Sequence, residues 1–173
     1  MTDITRLTES DARAHFDRFI ALLTDTVDNG ASVGFLRPLD VTLARDYWHE
    51  VCAAVARGTR ILLIARIGHD IVGSVQLDLA TRPNGRHRAE VQKLLVLSRY
   101  RRQGIATELM HAIEREARAA DRSLLVLDTE ARSGAEPFYE ALQWQRVGSI
   151  PGFALNTDGV PTPNTIYYKI LLG

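Results

Sequence analysis

Apolar and polar positions alternate with two periods along the chain, one typical of strands and one typical of helices. A short alternating segment, DITRLT (3–8), predicts an opening strand. Apolar residues then recur at helical spacing over 11–29, which predicts one helix that ends at the glycine-containing segment NGASVG. A second helix is predicted over 40–58, because Asp40 is a suitable N-cap and the apolar residues after it share one face.

Three apolar, β-branched segments occupy the middle of the chain: RILLIARI (60–67), IVGSVQLDL (71–79) and RAEVQKLLVL (88–97). The short connections GHD and RPNGRH between them are turn signals, and the Asn-Gly pair in the second is typical of a hairpin. The three segments are therefore predicted to form an antiparallel meander.

The last part of the chain alternates between helical and strand patterns. A helix is predicted over 105–120, with Glu114 and Arg118 as an exposed pair at i,i+4. Four shorter elements follow in the order strand, helix, strand, strand: SLLVLDT (123–129), GAEPFYEAL (134–142), QRVGSI (145–150) and NTIYYKILL (164–172). The complete order, βααβββαβαββ, predicts an α/β fold with a sheet of mixed direction.

Composition and charge narrow the class of protein. The chain has 173 residues, 46% of them hydrophobic and 24% charged, so one domain is expected over 1–173. Lys and Arg number 21, as do Asp and Glu, so no net field attracts a nucleic acid polymer or an anionic membrane. No apolar run could span a bilayer, and the acidic first segment lacks the apolar core of a signal peptide, so a cytoplasmic protein is expected.

Neither disulfide nor metal chemistry is expected. Cys52 is the single cysteine, which excludes an internal disulfide and any multi-cysteine metal site. It lies in the apolar segment EVCAAVA, where a small core residue is a simpler interpretation than a nucleophile. The five histidines show no ligand spacing such as His-x-x-x-His, so no metal ion is predicted.

The segment RRQGIA (101–106) joins a predicted strand to a predicted helix. The first N–H groups of a helix are unpaired and lie at the positive end of its dipole, Gly104 allows close approach, and Arg101 and Arg102 suit phosphate oxygens. The segment matches neither a Walker A loop nor a dinucleotide fingerprint. From these six residues alone, a solvated basic turn is the simpler interpretation and an anion site is the alternative.

Three side chains further along are candidates for chemistry. Glu90 lies on the strand before the basic turn, with the same parity as Gln92, and Asp128 ends the apolar segment SLLVLD. Tyr139 lies in the predicted short helix after that strand. Each has a structural interpretation too: a solvated charge at a strand start for Glu90, a turn cap for Asp128 and helix packing for Tyr139.

The segment GASVGF (30–35) carries two closely spaced glycines. It is either a loop over a substrate cleft or a purely structural turn. In the first case Ser32 can contact a polar substrate.

Two motifs together resemble those of a known superfamily. Leu94, Val96, Arg101, Gly104 and Ala106 resemble the acetyl-CoA-binding motif of the GNAT N-acetyltransferase superfamily, and AEPFYEAL resembles its second CoA motif. The resemblance implies a mixed, mostly antiparallel central sheet flanked by helices, with acetyl-CoA as cosubstrate in the cleft between two splayed strands. The cofactor-binding residues that it implies are Leu95, Val96, Leu97, Arg101, Arg102, Gln103, Gly104, Ile105, Ala106, Thr107 and Phe138.

Further segments, GASVGF, RPNG, RAEVQKL, LDTEA, RVG and PG, resemble the tabtoxin-resistance branch of that superfamily and cover nearly the whole chain. This resemblance implies acetylation of a small-molecule amine, either a tabtoxin-like β-lactam or another amino-acid-like compound. It implies Glu90 as a base, Asp128 as a catalytic or substrate-holding group, and Tyr139 as the acid for the CoA thiolate. Ser32, Phe35 and Gln92 are then the expected substrate contacts.

Acetyl transfer from a thioester to an amine needs no covalent enzyme intermediate, so direct transfer in a ternary complex is expected. Two alternatives stay open. One is acetylation of a peptide or protein amine, which needs an open groove, and the other is a non-catalytic acyl-CoA-binding module. The sequence does not predict the oligomeric state.

Overall fold

A seven-stranded sheet forms the centre of the computed structural model, which describes residues 2–171. The spatial order is β1-β2-β3-β4-β5-β7-β6, and every neighbouring pair is antiparallel except β4 and β5. This mixed, mostly antiparallel sheet confirms the predicted fold class. The strands are β1 (Asp3–Arg6), β2 (Arg60–Ile67), β3 (Asp70–Leu79), β4 (Arg88–Val96), β5 (Leu124–Glu130), β6 (Gln145–Leu155) and β7 (Pro161–Ile170).

Helices cover both faces of the sheet: α1 (Glu9–Ala14), α2 (Phe16–Asp28), α3 (Val41–Ala56), α4 (Ile105–Ala119) and α5 (Ala135–Ala141). Because successive strand residues point to opposite faces, Leu62 of β2 packs with Trp48 of α3, whereas Leu63 packs with Leu109 of α4. Hydrophobic clusters therefore lie on both faces of the sheet. None of the helices among residues 2–171 is both long and apolar enough to cross a membrane.

The single helix predicted over 11–29 is wrong, because the chain forms two helices that meet at His15. Thr8 caps α1, with its side chain accepting from the N–H of Asp11, so the helix begins earlier than predicted. His15 leaves the helical region, and its Nε2 accepts a hydrogen bond from Arg66 Nη2 at 2.8 Å. The apolar periodicity continues through this junction, so the sequence pattern does not reveal it.

The predicted exposed pair of Glu114 and Arg118 is also wrong. Glu114 is buried beneath the sheet, and its Oε1 accepts a hydrogen bond from Lys169 Nζ of β7 at 2.7 Å. Helical spacing places Glu114 close to Arg118, but β7 supplies a nearer cation that sequence spacing cannot show.

Strand limits differ modestly from the predictions. β6 continues to Leu155 through two register shifts instead of ending at Ile150, because β7 offers it a long antiparallel partner. The predicted closing strand includes Leu172, which lies outside the described residues. Asp40 caps α3 as predicted, with Oδ1 accepting from the N–H of Thr42 at 2.8 Å.

A bulge and a splay in β4 shape the centre of the molecule. Gln92 lies opposite Gln76 of β3, but Leu95 lies opposite Ser74, so β4 carries one extra residue, and Lys93 has a φ of 50°. On its other side, β4 pairs with β5 only over Arg88–Glu90. Beyond Glu90 the two strands separate, and the cleft between them holds the candidate site.

Candidate active site

The N-terminus of α4 lies at one end of the cleft. Gly104 has a φ of 84° and Arg102 a φ of 60°, so the turn bends tightly into the helix. No side chain caps this helix, which leaves its first N–H groups available to an anion at the positive end of the dipole. A Cβ on Gly104 would meet no atom within 4 Å, so space for a ligand lies directly above the turn.

A cavity of about 270 Å³ opens beside this turn. Its lining includes eight of the eleven predicted cofactor-binding residues, and the ninth lining residue, Tyr100, was not predicted because no spacing rule marks it. The lining residues are Val96, Tyr100, Arg101, Arg102, Gly104, Ile105, Ala106, Thr107 and Phe138. The unpaired helix N-terminus, two guanidinium groups and an apolar wall suit a molecule with phosphate and apolar parts, which is the chemistry of CoA.

The three other predicted cofactor-binding residues lie outside this lining. The Leu95 side chain is fully buried among α2 and α3 residues, and Leu97 packs against the same cluster, so only their backbone groups can face the cleft. Gln103 is exposed and its Nε2 donates to the Arg99 carbonyl at 3.4 Å.

A carboxylate from α2 anchors the start of the turn. Asp25 accepts hydrogen bonds from the N–H and the Oγ of Ser98, both at 2.7 Å. The partners are far apart in sequence, so no local pattern predicts this contact.

Glu90, Gln92 and Asp128 lie on one face of the sheet, the face that carries α1–α3. Glu90 is the register partner of Val126, and Asp128 follows Val126 by two residues, so the two carboxylates point the same way across the start of the splay. Gln92 Nε2 donates to Glu90 Oε1 at 2.9 Å and leaves the other carboxylate oxygen free. Glu90 and Gln92 therefore share the face that their parity predicts, and the pairing of β4 with β5 adds Asp128 to it.

Glu90 also lines a second cavity, of about 370 Å³, on the same face. Asp78, Arg82 and Arg88 contribute its other charged side chains. We call this space the acceptor cavity; Asp128 lies on the same face, two residues beyond Val126 of the cavity lining.

Asp128 is exposed, and its Oδ2 accepts a hydrogen bond from Asn164 Nδ2 at 2.6 Å. Asn164 is buried on β7 and was not predicted, because only the β5–β7 pairing brings it to Asp128. The contact fixes the orientation of the carboxylate while one oxygen stays free.

Tyr139 of α5 reaches the cleft from the other face of the sheet. Its ring packs against Phe138, Trp144 and Tyr167, and its hydroxyl makes no hydrogen bond to any residue within 2–171. Burial, with a smaller effect of the Asp128 charge, raises the pKa of Tyr139 to about 12. The phenol is therefore protonated at neutral pH and free to donate.

The loop between α2 and α3 contacts both α3 and the connection between β6 and β7. Ser32 Oγ donates to the Leu155 carbonyl at 3.3 Å, and the Arg37 N–H donates to the Thr157 carbonyl at 2.8 Å. Phe35 packs edge-on against Tyr47 with 5.5 Å between ring centroids. Ser32 and Phe35 are thus in the loop that bridges to the β6–β7 turn, although the Ser32 hydroxyl is already engaged by that turn.

Lys93, at the bulge of β4, was not predicted. Its Nζ lies 5.5 Å from the centroid of the Tyr47 ring, and burial lowers the pKa of its ammonium group, against the raising effect of the Asp128 charge. Strict alternation would point Lys93 to the opposite face of the sheet. The extra residue in β4 reverses this direction and brings Lys93 to the face that carries α1–α3.

Cys52 is buried in the cluster beneath α3, and burial raises the pKa of its thiol, as a core residue requires. Within 2–171, His, Cys, Asp and Glu side chains form no group of three placed to hold a metal ion.

Sequence comparison identifies the family. The profile of the acetyltransferase (GNAT) family matches residues 32–144. An uncharacterised N-acetyltransferase encoded in the hisH-hisA intergenic region of Azospirillum brasilense is 31% identical over 115 residues, which cover 65% of this chain and 67% of that protein.

Solved structures share the fold. A ribosomal-protein-alanine N-acetyltransferase of Brucella melitensis is 23% identical with a TM-score of 0.79, over 98% of this chain and 99% of that one. An acetyltransferase-like protein of Salmonella typhimurium, solved with its cofactor acetyl-CoA, is 16% identical with a TM-score of 0.77, over 100% and 95% of the two chains. At these identities the likeness concerns the fold alone.

GNAT enzymes take acetyl-CoA as their acetyl donor and act on small-molecule or peptide amines. The splayed strands, the uncapped turn at Gly104 and the cavity beside it fit that donor. The chain belongs to the acetyltransferase (GNAT) family and is an N-acetyltransferase that uses acetyl-CoA.

Proposed function

We propose that the protein acetylates a small-molecule, amino-acid-like amine by direct transfer from acetyl-CoA in a ternary complex. Three groups support this proposal: the carboxylates of Glu90 and Asp128 on one face of the sheet beside the splay, and the unbonded hydroxyl of Tyr139, which packs on the other face and is influenced by the Asp128 charge. A base on one side and a protonated phenol on the other are what amine acetylation requires.

The α4 N-terminus, Arg101 and Arg102 would hold the donor's pyrophosphate, and the unpaired edge of β4 would take its pantetheine arm. From Val96 back to Glu90 this edge measures roughly 20 Å at about 3.3 Å per residue. This length would let the arm reach from the cavity beside Gly104 to the acceptor cavity. When bound, acetyl-CoA supplies an activated acetyl thioester.

Glu90 or Asp128 accepts the proton that makes the acceptor amine nucleophilic, and the other carboxylate holds the amine in place. The amine nitrogen forms the new bond to the acetyl carbon as the carbon–sulfur bond breaks, and the proton that the nitrogen then loses balances the one that the CoA thiolate takes up to leave as the free thiol. Tyr139 donates a hydrogen bond to the departing sulfur, which supports its negative charge. Gln92 and Asn164 keep the two carboxylates oriented throughout.

A small acceptor is favoured over a protein chain because the loop carrying Ser32 and Arg37 contacts the β6–β7 turn. Arg37 Nε donates to Asp158 Oδ1 at 3.0 Å, next to its backbone contact with Thr157. This bridge narrows the acceptor side, whereas a peptide substrate needs an open groove. The resemblance to the tabtoxin-resistance branch suggests a tabtoxin-like β-lactam as one candidate amine.

The first test measures donor binding and turnover together. Acetyl-CoA at about 100 times its Kd stabilises the folded state by about 2.7 kcal/mol, which should raise the Tm by roughly 5–10 °C for a chain of this size. Arg101→Ala should reduce the shift, whereas Arg115→Ala, at an exposed position on α4, should not.

Free-thiol release is then followed with amino acids, β-lactam dipeptides, polyamines, aminoglycosides and N-terminal peptides as acceptors. Turnover of an amino acid or β-lactam dipeptide is the expected result. Activity confined to peptides would contradict the proposal in favour of a peptide acetyltransferase, and the absence of any thermal shift would contradict donor binding.

A further inference from the structure

Lys93 differs from the other basic residues of the chain. The sequence contains two lysines, and the other, Lys169, is engaged by Glu114 and the Leu142 carbonyl. No carboxylate of residues 2–171 lies within 4.0 Å of Lys93 Nζ, although the side chain is half-buried. A partly buried cation without an ion-pair partner is costly unless a ligand anion completes it.

The ammonium group of Lys93 lies on the face of the sheet that carries α1–α3, the face of Glu90 and Asp128. A Cβ on Gly34 of the α2–α3 loop would lie 3.6 Å from Lys93 Nζ, and the Tyr47 ring faces it from α3. Tyr47 is itself fixed, because its hydroxyl donates to Gln76 Oε1 at 3.0 Å. Arg60, which can only donate, contacts the same oxygen and so determines the orientation of this amide.

The charges around Lys93 have both signs. Burial lowers its pKa, the negative charges of Asp128 and Glu90 raise it, and Arg60 lowers it. Arg60 is paired with Asp78 at 3.3 Å, so its charge is largely compensated. This face thus presents two carboxylates for an ammonium group and, near them, the half-buried cation of Lys93, which has no carboxylate of residues 2–171 within 4.0 Å.

We propose that Lys93 forms an anion subsite beside the acceptor cavity, on the same face of the sheet, and binds the carboxylate of the acceptor, so that the substrate is an amino acid or a related zwitterion. The inference rests on the proposed function and adds the group that selects the acceptor. A fixed cation beside the acceptor amine repels polyamines and aminoglycosides, whereas a zwitterion satisfies both signs of charge.

Arg82 and Arg88 are the competing cations. Both line the acceptor cavity, but both are exposed, so solvent weakens their attraction for an anion; Arg88 is the nearer to Glu90 along the chain. The same substitution at Arg88 therefore tests whether position or charge alone matters.

Turnover of matched acceptor pairs measures the subsite. Each amino acid or β-lactam dipeptide in the panel is compared with its carboxamide, which keeps the amine and removes the anion. The wild-type protein should prefer the acid in kcat/KM by about 10–100-fold, the range of a charge-assisted hydrogen bond. Lys93→Met should abolish the preference, mainly through KM, and Lys93→Arg should restore part of it.

Arg88→Met and Arg115→Met are the matched controls and should keep the preference. A wild-type enzyme that does not distinguish acid from carboxamide, a preference that survives in Lys93→Met, or one that disappears in Arg88→Met would each overturn the subsite.

Binding separates this inference from the proposed function. With CoA present, the affinities of an N-acetyl amino acid and its carboxamide are measured by calorimetry on the wild-type protein and on Lys93→Met. Tighter binding of the acid, lost in the variant, supports the subsite even if no small amine is acetylated. Turnover of small amines with equal binding of acid and carboxamide would reject the subsite and leave the proposed function intact.

Discussion

At the scale of single residues, proton transfer depends on which hydroxyl and carboxylate groups are not already engaged in hydrogen bonds within the protein. Tyr139 is enclosed by aromatic rings, yet its hydroxyl has no partner within the described residues, and burial raises its pKa to about 12. The raised pKa disfavours the phenolate, so the group keeps its proton at every pH below about 10. In Glu90 and in Asp128, one carboxylate oxygen accepts a hydrogen bond from a side-chain amide, and the other oxygen stays free to act on a substrate.

Tyr139→Phe tests the donor role. The kcat is expected to fall by about 100-fold or more, because the departing sulfur loses its hydrogen-bond donor. The Tm should change little, since no protein acceptor loses its partner. Tyr167→Phe is the control, because it removes a hydroxyl that donates to Glu140, and its kcat should stay close to that of the wild type. Equal kcat values for Tyr139→Phe and the wild type would exclude the role.

Glu90→Gln and Asp128→Asn identify the base. Both amides keep the shape of the side chain, but neither accepts a proton. In the variant that lacks the base, kcat/KM is expected to fall by about 100-fold and its acidic limb to disappear, whereas the other variant should change KM more than kcat. The measurement is the pH dependence of kcat/KM with saturating acetyl-CoA. Profiles that match the wild type in both variants would rule out both carboxylates.

At the scale of elements, β4 determines the site. Its bulge gives Lys93 a position that strict alternation would deny it, and its early separation from β5 opens the cleft. The bulge needs a close approach from β3, because a Cβ on Gly73 would lie 2.8 Å from the Leu95 carbonyl oxygen and 3.1 Å from Leu109 Cδ1. Backbone and core therefore leave no room for a side chain there.

Gly73→Ala is expected to lower the free energy of unfolding by about 1–3 kcal/mol, because β3, β4 or α4 must shift to admit a methyl group. The matched control is Gly148→Ala on β6, where a Cβ would meet no atom within 4 Å; its change should stay within about 0.5 kcal/mol. Urea unfolding of both variants gives the comparison. A Gly73→Ala protein as stable as the control would show that β3 and β4 are not tightly packed at the bulge.

At the scale of the whole molecule, the site is enclosed by two distant parts of the chain. The α2–α3 loop reaches the β6–β7 turn through Ser32 and Arg37, whose partners lie more than 100 residues away. The ion pair between Arg37 and Asp158 is largely exposed, so its contribution to stability is about 0–1 kcal/mol. Loss of this ion pair is therefore expected to change the binding of the acceptor amine rather than the stability of the fold.

Arg37→Met should raise the KM for the acceptor several-fold, since the loop loses its side-chain contact with Asp158, while the Kd of acetyl-CoA should remain that of the wild type. Arg45→Met removes a comparable exposed ion pair, with Asp17 on α2, and serves as the control. Steady-state kinetics and calorimetry provide the two quantities. An unchanged acceptor KM would mean that this bridge does not shape the acceptor cavity.

The sequence by itself determined the fold class, the order of the elements apart from the division of the first predicted helix in two, and the membership of the acetyltransferase family. These follow from local information: periodicity, turn residues and a motif confined to a strand, a turn and a helix start. The roles of Glu90, Asp128 and Tyr139 remain predictions, and so does the identity of the acceptor amine.

Only the tertiary structure decided the break at His15, the pairing of Glu114 with Lys169, the contact of Asn164 with Asp128 and the place of Lys93. Each depends on a partner brought close by strand pairing or by a bulge, many residues away in the chain. Sequence spacing carries no information about such partners, because strand pairing and bulges, not separation along the chain, determine the distance between them.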